Sequence, residues 1–419
     1  MNLLVGEGRP PALLALEDGT TFAGWSAGAQ GEAFGEVVFN TSMTGYQEIL
    51  SDPSYAGQIV ALTYPQVGNY GIARSDFQAA RIHLGGLVVR DMCYTPSSWR
   101  STESLPELLC SREVVAIEGV DTRALTLRIR GGGAMRAAIS TTDLNPQSLV
   151  ARVQRSPGIS DYNHVPDVSC TIARTEPAAN KSKAAHRVVA YDCGMKRGIL
   201  DGLAAQGCEV RVVPWNTPAC EVLALEPDGV FFSNGPGDPG RVWATVEAAR
   251  EILGKKPVFG ICLGNQIITL AADGRIEKLP FGHHGGNEPV INLLTGRVEI
   301  TAQNHNFGTV FQSLGPLLPE ESGGHAAHVR DLRVWSRRGV APVVRNPLWG
   351  RIQLTHVNLN DGTPEGMRFL DIPAFGCQYH PEAKPGPSDA AYFFASFVQL
   401  MDAQSSYLVP GLERRLAHA

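Results

Sequence analysis

Along the second half of the chain, short apolar runs alternate with stretches whose apolar residues recur at helical spacing. Residues 188–191 and 210–213 read as strands flanking a helix over 197–206. Gly229–Phe232 and Val258–Ile261 read as further strands, with a helix over about 242–253 between them. This alternation predicts an α/β domain with a mainly parallel sheet and helices on both faces. In such sheets the active site lies beyond the carboxyl ends of the strands. Upstream the pattern differs. Ala12-Leu-Leu-Ala-Leu-Glu-Asp-Gly-Thr-Thr-Phe22 reads as a strand, an Asp-Gly turn and a second strand. The apolar run Gly86-Leu-Val-Val-Arg90 follows, and Gly131-Gly-Gly133 reads as a plain loop. A smaller, strand-rich mixed domain is therefore expected over 11–155. Residues 156–186, with their prolines, small residues and scattered charges, read as a linker. The α/β domain is expected over 187–404.

Composition narrows the class. A chain of 419 residues exceeds one ordinary domain and suits two or three. Net charge is −5 and no Lys/Arg-rich run stands out, which argues against nucleic-acid and anionic-membrane partners. No apolar stretch is long enough to cross a bilayer. The first ten residues lack a basic region followed by an apolar core, so no secretory signal is expected. The eight cysteines are scattered without a Cys-x-x-Cys pair, and a chain of this size needs no disulfide framework. They read as reduced thiols in the cytoplasm.

Candidate chemistry concentrates at one corner of the pattern. In Pro257-Val-Phe-Gly-Ile-Cys-Leu-Gly-Asn-Gln266 an apolar strand gives way to helical spacing, continued by Ile267, Ile268, Leu270 and Ala271. A thiol thus stands where a strand turns sharply into a helix, with glycines two residues before and two after it. Glycines relieve crowding at such corners, as in the elbow of serine hydrolases. The helix N-terminus beside the thiol favours the anionic, nucleophilic sulfur. A cysteine taken alone is more often a buried structural residue. A nucleophile also needs a base, and the base an orienting group. Both are offered by Ala374-Phe-Gly-Cys-Gln-Tyr-His-Pro-Glu382, where His380 and Glu382 point to the same side of an extended segment. Pro381 has no N–H to donate, which suits a strand end or edge. The run Asp228-Gly-Val-Phe-Phe-Ser-Asn-Gly-Pro-Gly-Asp-Pro239 ends in a turn whose N–H groups, with that of Leu263, could form an oxyanion hole.

At these three places the chain resembles the class I glutamine amidotransferases over roughly 187–401, opening with Val188-Val-Ala-Tyr-Asp-Cys-Gly-Met-Lys-Arg-Gly-Ile-Leu200. The resemblance makes Cys262 the nucleophile, His380 the general base and Glu382 its orienter. It also implies glutamine contacts at Gly235, Gly237, Leu263 and Gln266. A further set follows from the loop Gln303-Asn-His-Asn-Phe307, through Asn304, Asn306 and Phe307. The first domain narrows the subfamily. The run Gly35-Glu-Val-Val-Phe-Asn-Thr-Ser-Met-Thr-Gly-Tyr46 and the segments Leu62-Thr-Tyr-Pro-Gln-Val-Gly-Asn69 and Gly119-Val-Asp-Thr-Arg-Ala-Leu125 resemble the glutaminase small-subunit family of the carbamoyl-phosphate synthetases. That resemblance implies that Ser54 reaches the bound glutamine. It also implies a hetero-oligomer, in which ammonia passes to a large subunit that uses ATP and Mg2+ to make carbamoyl phosphate from bicarbonate for arginine and pyrimidine biosynthesis. This chain is expected to hold no metal or cofactor. His283 and His284 are neighbours on a glycine-rich loop with His305 beyond, and adjacent histidines rarely both coordinate one ion; a zinc site would need further converging ligands such as a thiolate or acidic partner.

Alternatives remain at this point. They are a glutaminase feeding another synthase such as the anthranilate type, a stand-alone thiol hydrolase, and a catalytically silent regulatory subunit. Three features depart from the family pattern. Asn265 stands where His is common, and Asn306 stands where Gly is usual. A longer stretch over about 312–350 reads as a surface insertion.

Overall fold

The structure, a computed structural model, describes residues 9–179, 185–405 and 407–409. The expectation about the first ten residues lies mostly outside the described residues, as does the part of the linker at 180–184. The chain forms two compact units. One runs up to His164 and includes Pro280–Gly285; the other comprises Val165–Leu279 and the chain from Gly286 onward.

The first unit contains strands β1 (Pro11–Leu16), β2 (Thr21–Ser26), β3 (Glu32–Asn40), β4 (Gln58–Leu62), β5 (Gln66–Val67), β6 (Gly86–Val88), β7 (Asp91–Met92), β8 (Ala116–Glu118) and β9 (Met135–Ser140). Seven of them close a barrel in the order β1-β2-β8-β6-β4-β3-β9, while β5 and β7 pair separately. Alternation along β1 explains its nearly continuous burial. Leu14 and Leu16 pack with Leu125 and Ile129, while Leu13 and Ala15 pack with Leu149 and Val153 of the helix Pro146–Val153. The β1–β2 turn is made at Asp18-Gly19, where Gly19 has φ +92°. The glycine triplet is not a plain loop. Gly131 and Gly132 end the helix Thr122–Gly132, and Gly133 (φ +90°) terminates it.

The second unit adds β10 (Arg174–Glu176), β11 (His186–Asp192), β12 (Cys208–Pro214), β13 (Gly229–Phe232), β14 (Val258–Ile261), β15 (Arg275–Asn292, whose Pro280–Gly285 belong to the first unit), β16 (Arg297–Val310), β17 (Val343–Asn346), β18 (Gly350–Asn358), β19 (Pro364–Phe369) and β20 (Ala374–Cys377). These form an 11-stranded sheet in the order β10-β12-β11-β13-β14-β20-β19-β18-β15-β16, with β17 on β18. The run β12-β11-β13-β14-β20 is parallel. Strands β11, β13, β14 and β20 of this run are buried on both faces, as inner parallel strands covered by helices are. Val189 and Tyr191 of β11 face the helices Trp243–Ile252 and Leu263–Ala271. Val188 and Ala190 face the helices Arg197–Ala205 and Tyr392–Met401.

The expected α/β sheet with helices on both faces is present, and an antiparallel wing (β19, β18, β15 and β17) extends its parallel centre. Two sequence expectations are revised. The stretch 156–186 is only partly a linker, because β10 pairs antiparallel with β12 and the second unit begins at Val165. The stretch 312–350 is not a surface feature. It contributes Leu314, Leu317, Leu332, Trp335 and Val344 to the core and supplies β17. Among the described residues no helix is long and apolar enough to cross a membrane.

Because Trp335 is 1 % exposed, Trp335→Ala should cost about 3–5 kcal/mol in equilibrium unfolding. A loss below about 0.5 kcal/mol would return the stretch to the surface.

Candidate active site

Four neighbouring parallel strands end at one edge of the sheet, and each delivers a polar loop there. After β11 comes Lys196, after β13 Ser233 and Asn234, after β14 Cys262, and after β20 the segment Gln378–Glu382.

Cys262 has φ +55° and ψ −106°, a conformation that L-residues avoid. It is forced by close backbone approach. A Cβ added at Gly260 would meet the Gly264 backbone at 2.5 Å, and one at Gly264 would meet the Phe232 carbonyl oxygen at 2.0 Å. Only glycine fits either position, so the two flanking glycines have the role their spacing suggested. The Cys262 N–H donates to the Cys377 carbonyl at 2.8 Å, which anchors the elbow to β20. The helix Leu263–Ala271 has no side-chain cap. Its first-turn N–H groups are therefore not claimed by a capping side chain.

The thiol is buried and donates to the Asn304 carbonyl at 3.5 Å. The His380 N–H donates to the Ala302 carbonyl at 2.8 Å, and Nδ1 lies 2.7 Å from Glu382 Oε1. Nε2 is buried and makes no hydrogen bond of ordinary geometry, yet the Cys262 thiol is close enough to bias the protonation of the ring. Contacts of this kind tighten along a reaction.

Lys196 was not foreseen from the sequence. Its ammonium is 3.0 Å from Glu382 Oε1 and donates to the Ala383 carbonyl at 2.7 Å, with the Lys196 side chain 2 % and the Glu382 side chain 0 % exposed. A lysine adjoining a strand end carries no signal of its own. Only the fold brings it to a carboxylate nearly two hundred positions downstream. Burial opposes charge on His380 and Glu382, and their attraction for each other, with that of Lys196 for Glu382, outweighs it. Burial pushes the His380 pKa down, but the Glu382 charge and the hydrogen bonds to Cys262 and Glu382 raise it above the ordinary histidine value. Burial pushes the Glu382 carboxyl up, but Lys196 and His380 hold it below the usual carboxylate range. At neutral pH His380 is therefore an imidazolium and Glu382 a carboxylate, with the Lys196 side chain against the carboxylate.

The remaining predicted residues fall as follows. A Cβ at Gly235 would meet the Cys193 carbonyl at 2.1 Å and the Leu263 side chain at 2.7 Å, so the loop after β13 lies against the elbow. Gly237 has φ +80° in the same loop. Gln266 is buried, and its amide nitrogen donates to the Phe307 carbonyl at 2.8 Å and to Gln378 Oε1 at 3.2 Å. Asn304, Asn306 and Phe307 lie on β16, and none has positive φ. Asn306 therefore meets no backbone requirement for glycine. The Asn265 side chain lies over Gly376, where an added Cβ would come within 2.4 Å of its oxygen. Ser54 belongs to the first unit, where it is buried on a single turn, Pro53–Tyr55, capped by Asp52.

Residues 14–139 match the family model described as carbamoyl-phosphate synthase small chain, CPSase domain. Residues 189–321 and 326–400 match glutamine amidotransferase class-I. The chain is 46% identical over 401 residues to the carbamoyl phosphate synthase small chain of Syntrophotalea carbinolica, covering 93% of this chain and 98% of that one. It is 48% identical over 393 residues to that of Thermotoga maritima, at 93% and 98% coverage. To that of Synechocystis sp. it is 43% identical over 409 residues, at 94% and 97% coverage.

Two tests follow from the charged cluster. Lys196→Met leaves a buried carboxylate one partner short and should lower stability by about 3 kcal/mol. Lys384→Met, which breaks the exposed pair with Asp201, should cost below about 0.5 kcal/mol; equal losses would deny Lys196 its role. The second test concerns pH. Glu382, held low, contributes stability that is present above its ordinary value and lost as pH falls through its folded value. His380, held high, contributes stability that is full below 6.5 and lost as pH rises through its folded value. The melting temperature of the wild type should exceed that of a His380→Asn/Glu382→Gln double variant most between about pH 5 and 6.5, with the gap closing on either side. A gap independent of pH would contradict these assignments.

Proposed function

The chain belongs to the carbamoyl-phosphate synthase small-chain family, and we propose that it hydrolyses L-glutamine through a thioester on Cys262. The observation that carries this reading is the strained thiol beside a buried imidazole that is itself paired to a carboxylate. The Cys262 thiolate attacks the side-chain amide carbon of glutamine, and the new oxyanion is met by N–H groups of Leu263 and the Gly235–Gly237 loop. His380, as the imidazolium, gives its proton to the amide nitrogen as the C–N bond breaks, and ammonia leaves. A γ-glutamyl thioester remains. Neutral His380 then takes a proton from water as its oxygen attacks the thioester, the C–S bond breaks, and glutamate and the Cys262 thiolate are released with His380 protonated again.

The remaining predicted residues would orient glutamine. Gln266 is well placed to do so, because its amide nitrogen is already fixed by Phe307 and Gln378. Asn304, Asn306 and the Phe307 backbone would contribute from β16. The product ammonia would pass to a large ATP- and Mg2+-using subunit in the cytoplasm, which makes carbamoyl phosphate from bicarbonate. The names of the relatives as small chains support such a partner.

In the assembled complex Cys262→Ser should abolish glutamine-dependent carbamoyl phosphate synthesis, by at least about 10³-fold, while synthesis from added ammonia continues. Loss of both activities would defeat the division of labour. Failure of wild-type Cys262 to be labelled by a γ-electrophilic glutamine analogue would defeat the thioester.

A further inference from the structure

Beneath the segment that carries the base lies a second buried polar cluster that the hydrolysis does not use. Its centre is Glu299 on β16, 5 % exposed. Glu299 Oε1 accepts from the Tyr392 hydroxyl at 2.9 Å and the Asn292 amide at 3.4 Å, and Oε2 accepts from the Tyr379 hydroxyl at 3.2 Å. The Asn292 amide also reaches Tyr392, at 3.1 Å, and His356 Nε2 lies 2.9 Å from the same hydroxyl. Thr355 Oγ1, 2.9 Å from His356 Nδ1, completes the chain. No lysine, arginine or histidine pairs with Glu299 among the described residues. The carboxylate is held by hydroxyl and amide donors alone.

The position of this cluster gives it meaning. Ala302 on β16 bridges His380 directly, through the His380 N–H. Along an extended segment alternate side chains point to opposite faces. His380 turns toward the thiol, and its neighbour Tyr379 turns to the other face, where Glu299 stands on the same strand as Ala302. The tyrosine hydroxyl is thus tied to the strand whose backbone also receives the His380 N–H and the Cys262 thiol.

We propose that Glu299 is a positioning residue for the glutaminase reaction, its carboxylate fixing the Tyr379 side chain and through it the peptide that presents His380. This rests on the reading of His380 as the base. Nothing in the cluster touches the reacting atoms.

The ionised form is the one the donors fit. Three groups point hydrogens at two oxygens, so a protonated carboxyl would set a fourth hydrogen among them and one donor would have to turn away. Burial pushes the Glu299 pKa up to about 7, with the Asp389 charge adding to the rise and the three donors opposing it. The groups facing it titrate elsewhere. Tyr379 and Tyr392 are raised above the ordinary tyrosine value, chiefly by burial, and His356 is lowered to about 3 by burial. His380 is held protonated above neutrality and Glu382 ionised below it. An activity that falls as pH drops through about 7, with a limb that Glu299→Gln removes, is therefore the signature of Glu299. Stability has the opposite sign. A carboxyl raised in the folded state favours folding when protonated, and this contribution is lost as pH rises from its ordinary value of 4.5 through about 7. Alignment of the base thus comes at the expense of stability.

The test uses the assembled two-subunit enzyme. Glutaminase kcat and KM are measured from pH 5.5 to 9 for wild type, Glu299→Gln and Tyr379→Phe, beside synthesis from added ammonia. At pH 8 Glu299→Gln should lower kcat about tenfold with KM for glutamine within about twofold. It should also abolish the acid limb near pH 7 and leave ammonia-dependent synthesis intact. Tyr379→Phe, which removes one oxygen atom and keeps the packing, should lower kcat about threefold with the same split. It serves as the test if Glu299→Gln does not fold. A Glu299→Gln enzyme with wild-type kcat and an unchanged acid limb would overturn the proposal, as would a folded Tyr379→Phe enzyme with unaltered kcat. Wild-type enzyme that neither hydrolyses glutamine nor takes the analogue on Cys262 would overturn the glutaminase reading itself.

Discussion

The fold of the second unit is organised around one unfavourable backbone conformation. Cys262 sits at φ +55° without being glycine, a strain on the order of 1–3 kcal/mol. It persists because its surroundings leave no alternative. The chain before it is a buried parallel strand hydrogen-bonded on both sides, and the chain after it is a helix whose Ile267 and Ile268 are fully buried. Strand β14 and this helix can approach that closely only because residues 260 and 264 lack a Cβ. Relaxing the cysteine would mean separating helix from sheet, at a cost in apolar burial far larger than the strain relieved. The sulfur is therefore fixed relative to the strand ends, and the first turn of the helix keeps N–H groups that no capping side chain claims.

A fixed sulfur needs an equally fixed base, and here the protein places charges in its interior. An isolated buried carboxylate would take up a proton rather than stay ionised. Glu382 stays ionised because Lys196 and His380 both touch it, and His380 stays protonated because Glu382 does. Glu382 offsets the burial of the His380 charge, which Lys196 by itself opposes, and Lys196 and His380 together hold Glu382 ionised. Lys196 adds a second tie through the Ala383 carbonyl, which helps hold the two left-handed residues, Ala383 and Lys384, that turn the chain away after the triad.

Much of this was legible in the sequence for physical reasons. The elbow was visible because glycines at 260 and 264 are a local signature of a crowded turn. The parallel strands were visible because strands buried on both faces read as unbroken apolar runs. His380 and Glu382 were linked by two-residue spacing. Lys196 was not legible, because its role exists only once β11 and β20 end at the same edge of the sheet. The antiparallel wing was hidden for a related reason. The 18 residues of β15 mix glycine, charge and apolar positions without a clean period, and their pairing is fixed by distant partners. The 312–350 stretch was misjudged because a polar, glycine-rich surface concealed Trp335 and Leu332, whose burial depends on β17 joining β18.

Strand β16 joins these features. Along a single extended segment its backbone accepts the His380 N–H at residue 302, the Cys262 thiol at 304 and the Gln266 amide at 307. Base, nucleophile and a predicted substrate-orienting side chain are thus referenced to one strand, not to each other through long side-chain chains. Extended backbone is well suited to this, because its carbonyls recur at a fixed rise of about 3.3 Å per residue and cannot shift independently. His305, clamped between the Gln303 side chain and the Phe307 carbonyl, stiffens the stretch further. A displacement of β16 would move all three contacts together. For a reaction sensitive to the distance between sulfur and imidazole, a common support for the two preserves their relative geometry even when the support itself moves.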